Sequence, residues 1–212
     1  MEENMSLMIA DLSGYTALTD THGAHRAADI VDEFISLVYQ SLAGESVLHE
    51  HAGDEVMVVS SSPDDLLLTA RQILFHSSMD QFPLIHAGLH FGPVLKRNNR
   101  YFGSAVNLTS RIASQAKPGT IWSSETFLSA VSDKAGFEPV GKKQLKNFRE
   151  PYKLFQYTPD SSVKNYIDPV CKMQITNKGK SIPHPDDDSV FFCGHNCLEI
   201  YLSQHEPAAI VA

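Results

Sequence analysis

Apolar positions in this chain alternate between short continuous runs and a three- and four-residue rhythm, the pattern of strands interleaved with helices. Met8-Ile9-Ala10 is an apolar run that ends in Asp11 and passes at once into Ser13-Gly14-Tyr15-Thr16. It predicts a strand that delivers a carboxylate to a helix N-terminus. Ala27, Ile30, Val31, Phe34, Val38 and Leu42 then form the stripe of a helix lying on a sheet, with Gly44 as its stop. Residues 47–50 and 56–59 predict two strands joined by a tight turn that carries Asp54. A helix follows from Pro63 to about Phe82, capped by Ser62 or Asp64. Residues 84–95 are apolar but interrupted by Gly88 and Gly92, which predicts a strand, a Gly-Pro bend and a second strand, with a hairpin tip at Arg97-Asn98-Asn99-Arg100. Residues 104–116 predict a helix closed by Lys117-Pro118-Gly119. A short strand at Ile121-Trp122, a short helix over 125–131 and late strands at 137–140 and 154–157 complete the series. Hairpins among helices imply an α+β sandwich with a largely antiparallel sheet.

Length and charge narrow the classes. With 212 residues the chain can hold one sizeable core plus a small module, and Pro159-Asp160-Ser161-Ser162 has linker composition. The domains expected are 1–158, a linker over 159–165 and a module over 166–212. A net charge of -8 without Lys/Arg clusters argues against a nucleic-acid partner. No apolar run approaches the roughly 20 residues of a membrane span, and the first residues are acidic where a signal peptide is basic. A cytoplasmic protein with no membrane partner is expected. Cys171, Cys193 and Cys197 are the three cysteines; an odd number in a reducing compartment points to a metal more than to disulfides.

The carboxylate of Asp11 can hold a hard cation, and the N–H groups of Ser13, Gly14, Tyr15 and Thr16 can take phosphate oxygens, a combination suited to a metal-nucleotide. The same stretch also suits an aspartate that merely ends a strand and caps a helix. Asp54 is placed like Asp11, and Asn107 and Arg111 lie one helical turn apart. Five histidines, His25, His49, His51, His86 and His90, read as packing or surface residues.

Residues 9–16, Gly53-Asp54-Glu55, His86 to Gly92 and Tyr101 to Arg111 come in the order and spacing of class III adenylate/guanylate cyclases, and the resemblance extends over about residues 5–158. It implies the ferredoxin-like α/β sandwich of that family and cyclisation of a purine nucleoside triphosphate at a homodimer interface. Two Mg or Mn ions would be held by Asp11, Asp54 and the carbonyl of Leu12. Asn107 and Arg111 match the pair that orients the ribose and stabilises the transition state. Lys146 matches a lysine on the terminal phosphates, although Asn147 follows it where glycine is usual. At the base-reading positions stand Glu50 and Arg100, with charges opposite to the adenine-reading lysine and aspartate. A carboxylate beside a guanidinium complements guanine and mismatches adenine, which makes GTP preference one hypothesis while GTP and ATP both stay open as substrate; the competing reading is that Glu50 pairs with Arg100 and closes the pocket to any purine, or that Arg100 stands in solvent.

Tyr166 to Met173, Val190 to Cys193, Cys197, Tyr201 and Pro207 resemble a YHS domain, a relative of the TRASH-type metal modules. So short a segment needs help to fold, which Cys171, Cys193 and Cys197 can supply through a metal, zinc by default or Cu(I); the alternative is three reduced cysteines packing as small hydrophobes. His184, His195, Met173 and Asp168 are all open as fourth ligand. Regulation of a cyclase by that metal is one expectation; a catalytically silent nucleotide- or metal-sensing module is the alternative.

Overall fold

The structure is a computed structural model that describes residues 2–159 and 166–205. The interior of the proposed linker and the last residues of the C-terminal module, Pro207 included, lie outside the described residues.

Eight strands form one sheet: β1 (Glu2–Leu12), β2 (Val47–Ala52), β3 (Glu55–Ser60), β4 (Ile85–Arg97), β5 (Arg100–Phe102), β6 (Ile121–Ser124), β7 (Phe137–Lys143) and β8 (Tyr152–Tyr157). Their order is β2-β3-β1-β4-β6-β8-β7, with β5 folded back on β4. Only the β4–β6 pairing is parallel. The helices are α1 (Tyr15–Ser41), α2 (Pro63–His76), α3 (Ser104–Ala113) and α4 (Glu125–Ala130). The fold is therefore mixed α+β around a largely antiparallel sheet, as expected. Period-two alternation along β1 sends Met5, Leu7 and Ile9 to one face, where they pack with Met57, Val59, Val94 and the α3 residues Ala105 and Ala113. Met8 and Ala10, on the opposite face, are also fully buried, and α2 covers β1 and β3 with Leu66, Leu67, Ala70 and Ile73.

Gly88 sets how closely α3 approaches. A Cβ there would stand 2.3 Å from the Ala113 nitrogen and 2.7 Å from the Thr109 oxygen. The helix thus rests directly on the β4 backbone, which fixes the height of Asn107 and Arg111 above the sheet. The expected break at Gly92-Pro93 does not occur: β4 runs unbroken from Ile85 to Arg97. Pro93 is opposite Asn4 in the β1 register. The Asn98-Asn99 tip has φ of 51° and 54°, the left-handed pair of a type I′ hairpin turn.

Compact units cut the chain differently from its linear order. One takes in Met1–Ser13, Val31–Ser77 and Ile85–Asp160, the other Gly14–Ile30, Ser78–Leu84 and Ser161–Ala212, in each case as far as these are described. In the second unit β9 (Tyr166–Ile167) pairs with β10 (Gln174–Ile175), β11 (Ile182–Pro183) pairs with β12 (Phe191–Phe192), and α5 (His195–His205) closes the segment. Here the helix expected to reach Phe82 is corrected: α2 stops at His76. The following residues turn at Asp80-Gln81, where Gln81 has φ 57°, and hydrogen-bond to β10 and its flanks. Gln81 N–H donates to the Gln174 carbonyl at 2.8 Å, Gln174 N–H donates to the Phe82 carbonyl at 2.9 Å, and Asp80 Oδ1 accepts the N–H groups of Thr176 and Asn177.

Candidate functional site

Asp11 stands at the end of β1, opposite Glu55 on β3 and His86 on β4. The β2–β3 turn, with Gly53 at φ 61°, brings Asp54 close enough for its charge to act on Asp11. Burial, then the charge and hydrogen bond of Asp54, then the charge of Glu55 raise the Asp11 carboxyl from 3.8 to about 7, against a smaller opposing effect of the Leu12 N–H at 3.0 Å. Glu55 is raised too, by burial and by the charges of Asp54 and Glu50. The basic group beside this pair is His86, whose Nε2 is 3.8 Å from Asp11 Oδ2. Burial lowers its affinity for a proton, so near neutrality it supplies no compensating charge. Its Nδ1 lies 2.9 Å from the Ser13 hydroxyl. Carboxylates forced together without a cation are a donor set that suits a hard divalent ion. His86, read from sequence as packing, belongs instead beside the carboxylates; the signal that places it there is the pairing register of β1 with β4, which local sequence does not contain. His90 and His49 do fit a packing role. His90 is buried, lowered to about 4, and its Nδ1 is 2.8 Å from Ser124 Oγ; His49 lies edge-on to Tyr101 at 4.7 Å.

The turn at Gly14, with φ 83°, opens α1 in the second unit, and Leu18 N–H closes the first helical turn on the Gly14 carbonyl at 3.0 Å. Tyr15 and Thr16 are in that first turn, whose N–H groups have no acceptor inside the helix. Asn107 is exposed and Arg111 half-buried on α3. Among the described residues neither side chain has a hydrogen bond or ion pair, to Asp11 and Asp54 or to any other group. Lys146 is exposed in a turn closed by Phe148 N–H on the Leu145 carbonyl at 3.1 Å. Asn147 occupies its third position at φ 70°, a left-handed site where asparagine is the usual substitute for glycine, so the departure from Lys-Gly leaves the turn intact. Glu50 and Arg100 are both exposed and do not pair with each other among the described residues.

The second unit gathers a separate donor set. Cys193 Sγ lies 3.6 Å from Cys171 Sγ and 3.5 Å from Cys197 Sγ, far beyond a disulfide bond. His22 Nε2 is 3.5 Å from Cys193 Sγ and 3.7 Å from Cys197 Sγ, and the four donor atoms all lie within 4.8 Å of one another. Hydrogen bonds from Cys193 and Cys197 pull the Cys171 thiol well below its usual range. The four fourth-ligand candidates stand elsewhere. Asp168 is buried and uses Oδ1 to accept the Val170 and Cys171 N–H groups and Oδ2 to accept that of Cys193. His184 lies edge-on to Tyr201, His195 is exposed at the start of α5, and Met173 is in the buried core. His22 was missed because it precedes Cys193 by 171 positions, with nothing in the local pattern to mark it.

The chain matches the family described as the adenylate and guanylate cyclase catalytic domain over residues 1–158. An uncharacterized protein of Mycobacterium tuberculosis, Rv2212, is 35% identical over 149 residues, 69% of this chain and 39% of that protein. The pH-sensitive adenylate cyclase MT1302 of the same species is 28% identical over 158 residues, 72% of this chain and 40% of that protein. The chain thus spans about two fifths of the length of these curated relatives. Among solved structures, the adenylyl cyclase CyaB of P. aeruginosa superposes with a TM-score of 0.64 at 18% identity, covering 76% of this chain and 97% of that one. The guanylate cyclase domain of RhGC from Catenaria anguillulae, in complex with GTP, gives 0.61 at 19% identity, covering 76% and 100%. At these identities the likeness shows a shared fold.

Proposed function

Because this chain belongs to the adenylate and guanylate cyclase catalytic domain family, we propose that it cyclises a purine nucleoside triphosphate to the 3′,5′-monophosphate, releasing pyrophosphate, at sites shared between two copies of the chain. The observation that carries this reading is the convergence of carboxylates at the end of β1, where Asp11 stands opposite Glu55 and the neighbouring Asp54 raises its carboxyl. Asp11, Asp54 and the Leu12 carbonyl would hold two Mg²⁺ or Mn²⁺ ions. When bound, such a pair lowers the proton affinity of the attacking hydroxyl and neutralises charge on the phosphates. The first-turn N–H groups of α1 receive phosphate oxygens, and Lys146 draws the leaving pyrophosphate. Asn107 orients the ribose, and Arg111 places its guanidinium against charge developing on the α-phosphate. That neither side chain has a hydrogen bond or ion pair among the described residues supports a homodimer in which each copy supplies the part the other lacks.

The unpaired Glu50 and Arg100 leave a carboxylate acceptor and a guanidinium donor free for guanine, which supports GTP over ATP. The C-terminal segment is read as a YHS-type module carrying zinc or Cu(I), with metal status acting on the cyclase. Reduced thiols at these separations suit the cytoplasm. No helix among the described residues is long and apolar enough to cross a membrane.

Turnover of purified protein with Mn²⁺ and either ATP or GTP tests the reading. Product from GTP that vanishes in Asp54→Ala, and a preference that moves away from GTP in Glu50→Lys, is the expected result. Absence of product from both triphosphates, with the dimer shown to be present, would instead favour a sensing module without turnover.

A further inference from the structure

We propose that His22 is the fourth ligand of a tetrahedral thiolate-metal site with Cys171, Cys193 and Cys197, and that this site links metal occupancy to the phosphate-binding turn at Gly14. Geometry carries the first part. With zinc about 2.3 Å from sulfur and about 2.05 Å from nitrogen, a tetrahedron separates two sulfurs by about 3.8 Å and sulfur from nitrogen by about 3.6 Å. Two of the three sulfur pairs stand at 3.6 and 3.5 Å and two of the three sulfur–nitrogen pairs at 3.5 and 3.7 Å, and the Cys171–Cys197 and Cys171–His22 pairs lie within 4.8 Å. A linear two-thiolate ion would need its sulfurs about 4.6 Å apart at the same bond length, about 1 Å more than either pair that includes Cys193. The arrangement therefore fits a four-coordinate borderline or soft cation, zinc or Cu(I).

The surroundings hold the ligands in place before any ion arrives. Asp168 ties the Cys171 and Cys193 backbones through opposite oxygens of one buried carboxylate. Asn196 Nδ2 donates to the Thr21 carbonyl at 3.0 Å, which fastens the start of α5 to the residue before His22. Immediately after His22, α1 breaks at Gly23, where φ 80° and ψ 166° lie outside helical values. A Cβ on Gly23 would meet nothing within 4 Å, so the glycine serves the backbone bend and not packing space. A break beside an inward-facing histidine, in an otherwise continuous helix, is the device that aims the imidazole.

The link to the turn is direct. Cys171 is followed by Lys172, whose Cβ lies 2.5 Å from where a Cβ on Gly14 would stand. Gly14 immediately precedes α1 and His22 lies about two turns into it, so one ion fixes both the knuckle beside Gly14 and the helix that follows it. Holding the turn in one conformation removes an ordering cost from triphosphate binding, so the loaded protein binds nucleotide more tightly, by a factor in the roughly 5–150-fold range of such couplings. This second part rests on the cyclase reading; the metal site does not.

The test uses the full chain, with Co²⁺ as a spectroscopic probe displaced by Zn²⁺. Thiolate ligation gives sulfur-to-cobalt charge transfer and intense tetrahedral bands, whereas cobalt at the oxygen donors Asp11 and Asp54 gives neither. His22→Ala is expected to weaken binding at least tenfold and to alter the tetrahedral bands, since even residues that only support a ligand cost roughly 10–100-fold. His22→Cys is expected to restore affinity with a stronger charge-transfer band, and His25→Ala to change nothing. Should His22→Ala fail to fold, the His22→Cys spectrum still decides. Wild-type spectra and affinity in both His22 variants would overturn the site. The affinity for 3′-deoxy-GTP, which lacks the attacking hydroxyl, is then measured with and without Zn²⁺. An equal affinity overturns the link to the turn. No affinity in either state overturns the cyclase reading and that link while leaving the metal site standing.

Discussion

Proton and cation compete for Asp11, and the competition can be measured. Its carboxyl is raised to about 7, so about one molecule in eleven carries it ionised at pH 6 against about ten in eleven at pH 8. Because the cation binds the ionised form, apparent Mn²⁺ affinity should fall roughly tenfold from pH 8 to pH 6, about 1.4 kcal/mol. His86 is lowered below 6.5 by burial and stays neutral through most of this window, so it adds little. The same shift has a consequence for folding. The folded value lies above the unfolded 3.8, so the cation-free chain has this contribution in full below pH 3.8 and loses it as pH rises through about 7. Three pH units at 1.36 kcal/mol each give about 4 kcal/mol, which solvent at this partly exposed group reduces to about 2 kcal/mol. His90, lowered from 6.5 to about 4, acts in the opposite sense and stabilises the fold as pH rises to 6.5. Free Mn²⁺ counted by electron paramagnetic resonance at pH 6, 7 and 8 gives the affinity directly. In Asp54→Asn the inflection should move below 7, because a neighbouring charge has gone. An affinity flat from pH 6 to 8, or unchanged pH dependence in Asp54→Asn, would refute the reasoning.

Arg111→Ala should lower kcat by roughly 10²–10³-fold, the usual loss of one donor to a developing charge. Its melting temperature should hold, since the side chain has no hydrogen bond or ion pair among the described residues; steady-state kinetics beside a thermal melt checks both. Gly88→Ala should cost about 1–3 kcal/mol in denaturant unfolding, because the new methyl meets the α3 backbone at 2.3 Å and must push the helix away. An unchanged midpoint would show that α3 does not depend on that close approach.

Much of the first unit is legible in the sequence because its signals are local. The apolar run into Asp11, the Gly53-Asp54 turn and the Asn98-Asn99 tip each carry their own backbone chemistry, and the structure forms a strand end, a turn and a hairpin at those places. What the sequence conceals is set by pairing between distant segments. The stretch after α2 has helical composition through Phe82, yet the backbone partners offered by Gln174 and Thr176 draw it out of the helix into a turn at Asp80-Gln81. Gly92-Pro93 reads as a bend, but β1 holds β4 continuous past it. His86 and His22 are the same lesson at the functional level. One is placed by sheet register and the other by a segment 171 positions away, and neither stands in a motif.

The claim that the site is assembled from two copies is tested most directly by mixing two inactive variants. Asp54→Ala lacks the carboxylate and Arg111→Ala lacks the guanidinium. In a mixed dimer one site inherits both defects and the other inherits neither. With random exchange half of the dimers are mixed and each has one intact site, so the mixture should recover about a quarter of wild-type turnover. Turnover no greater than that of the two variants measured separately, with mixed dimers shown to be present, would contradict a site shared between copies.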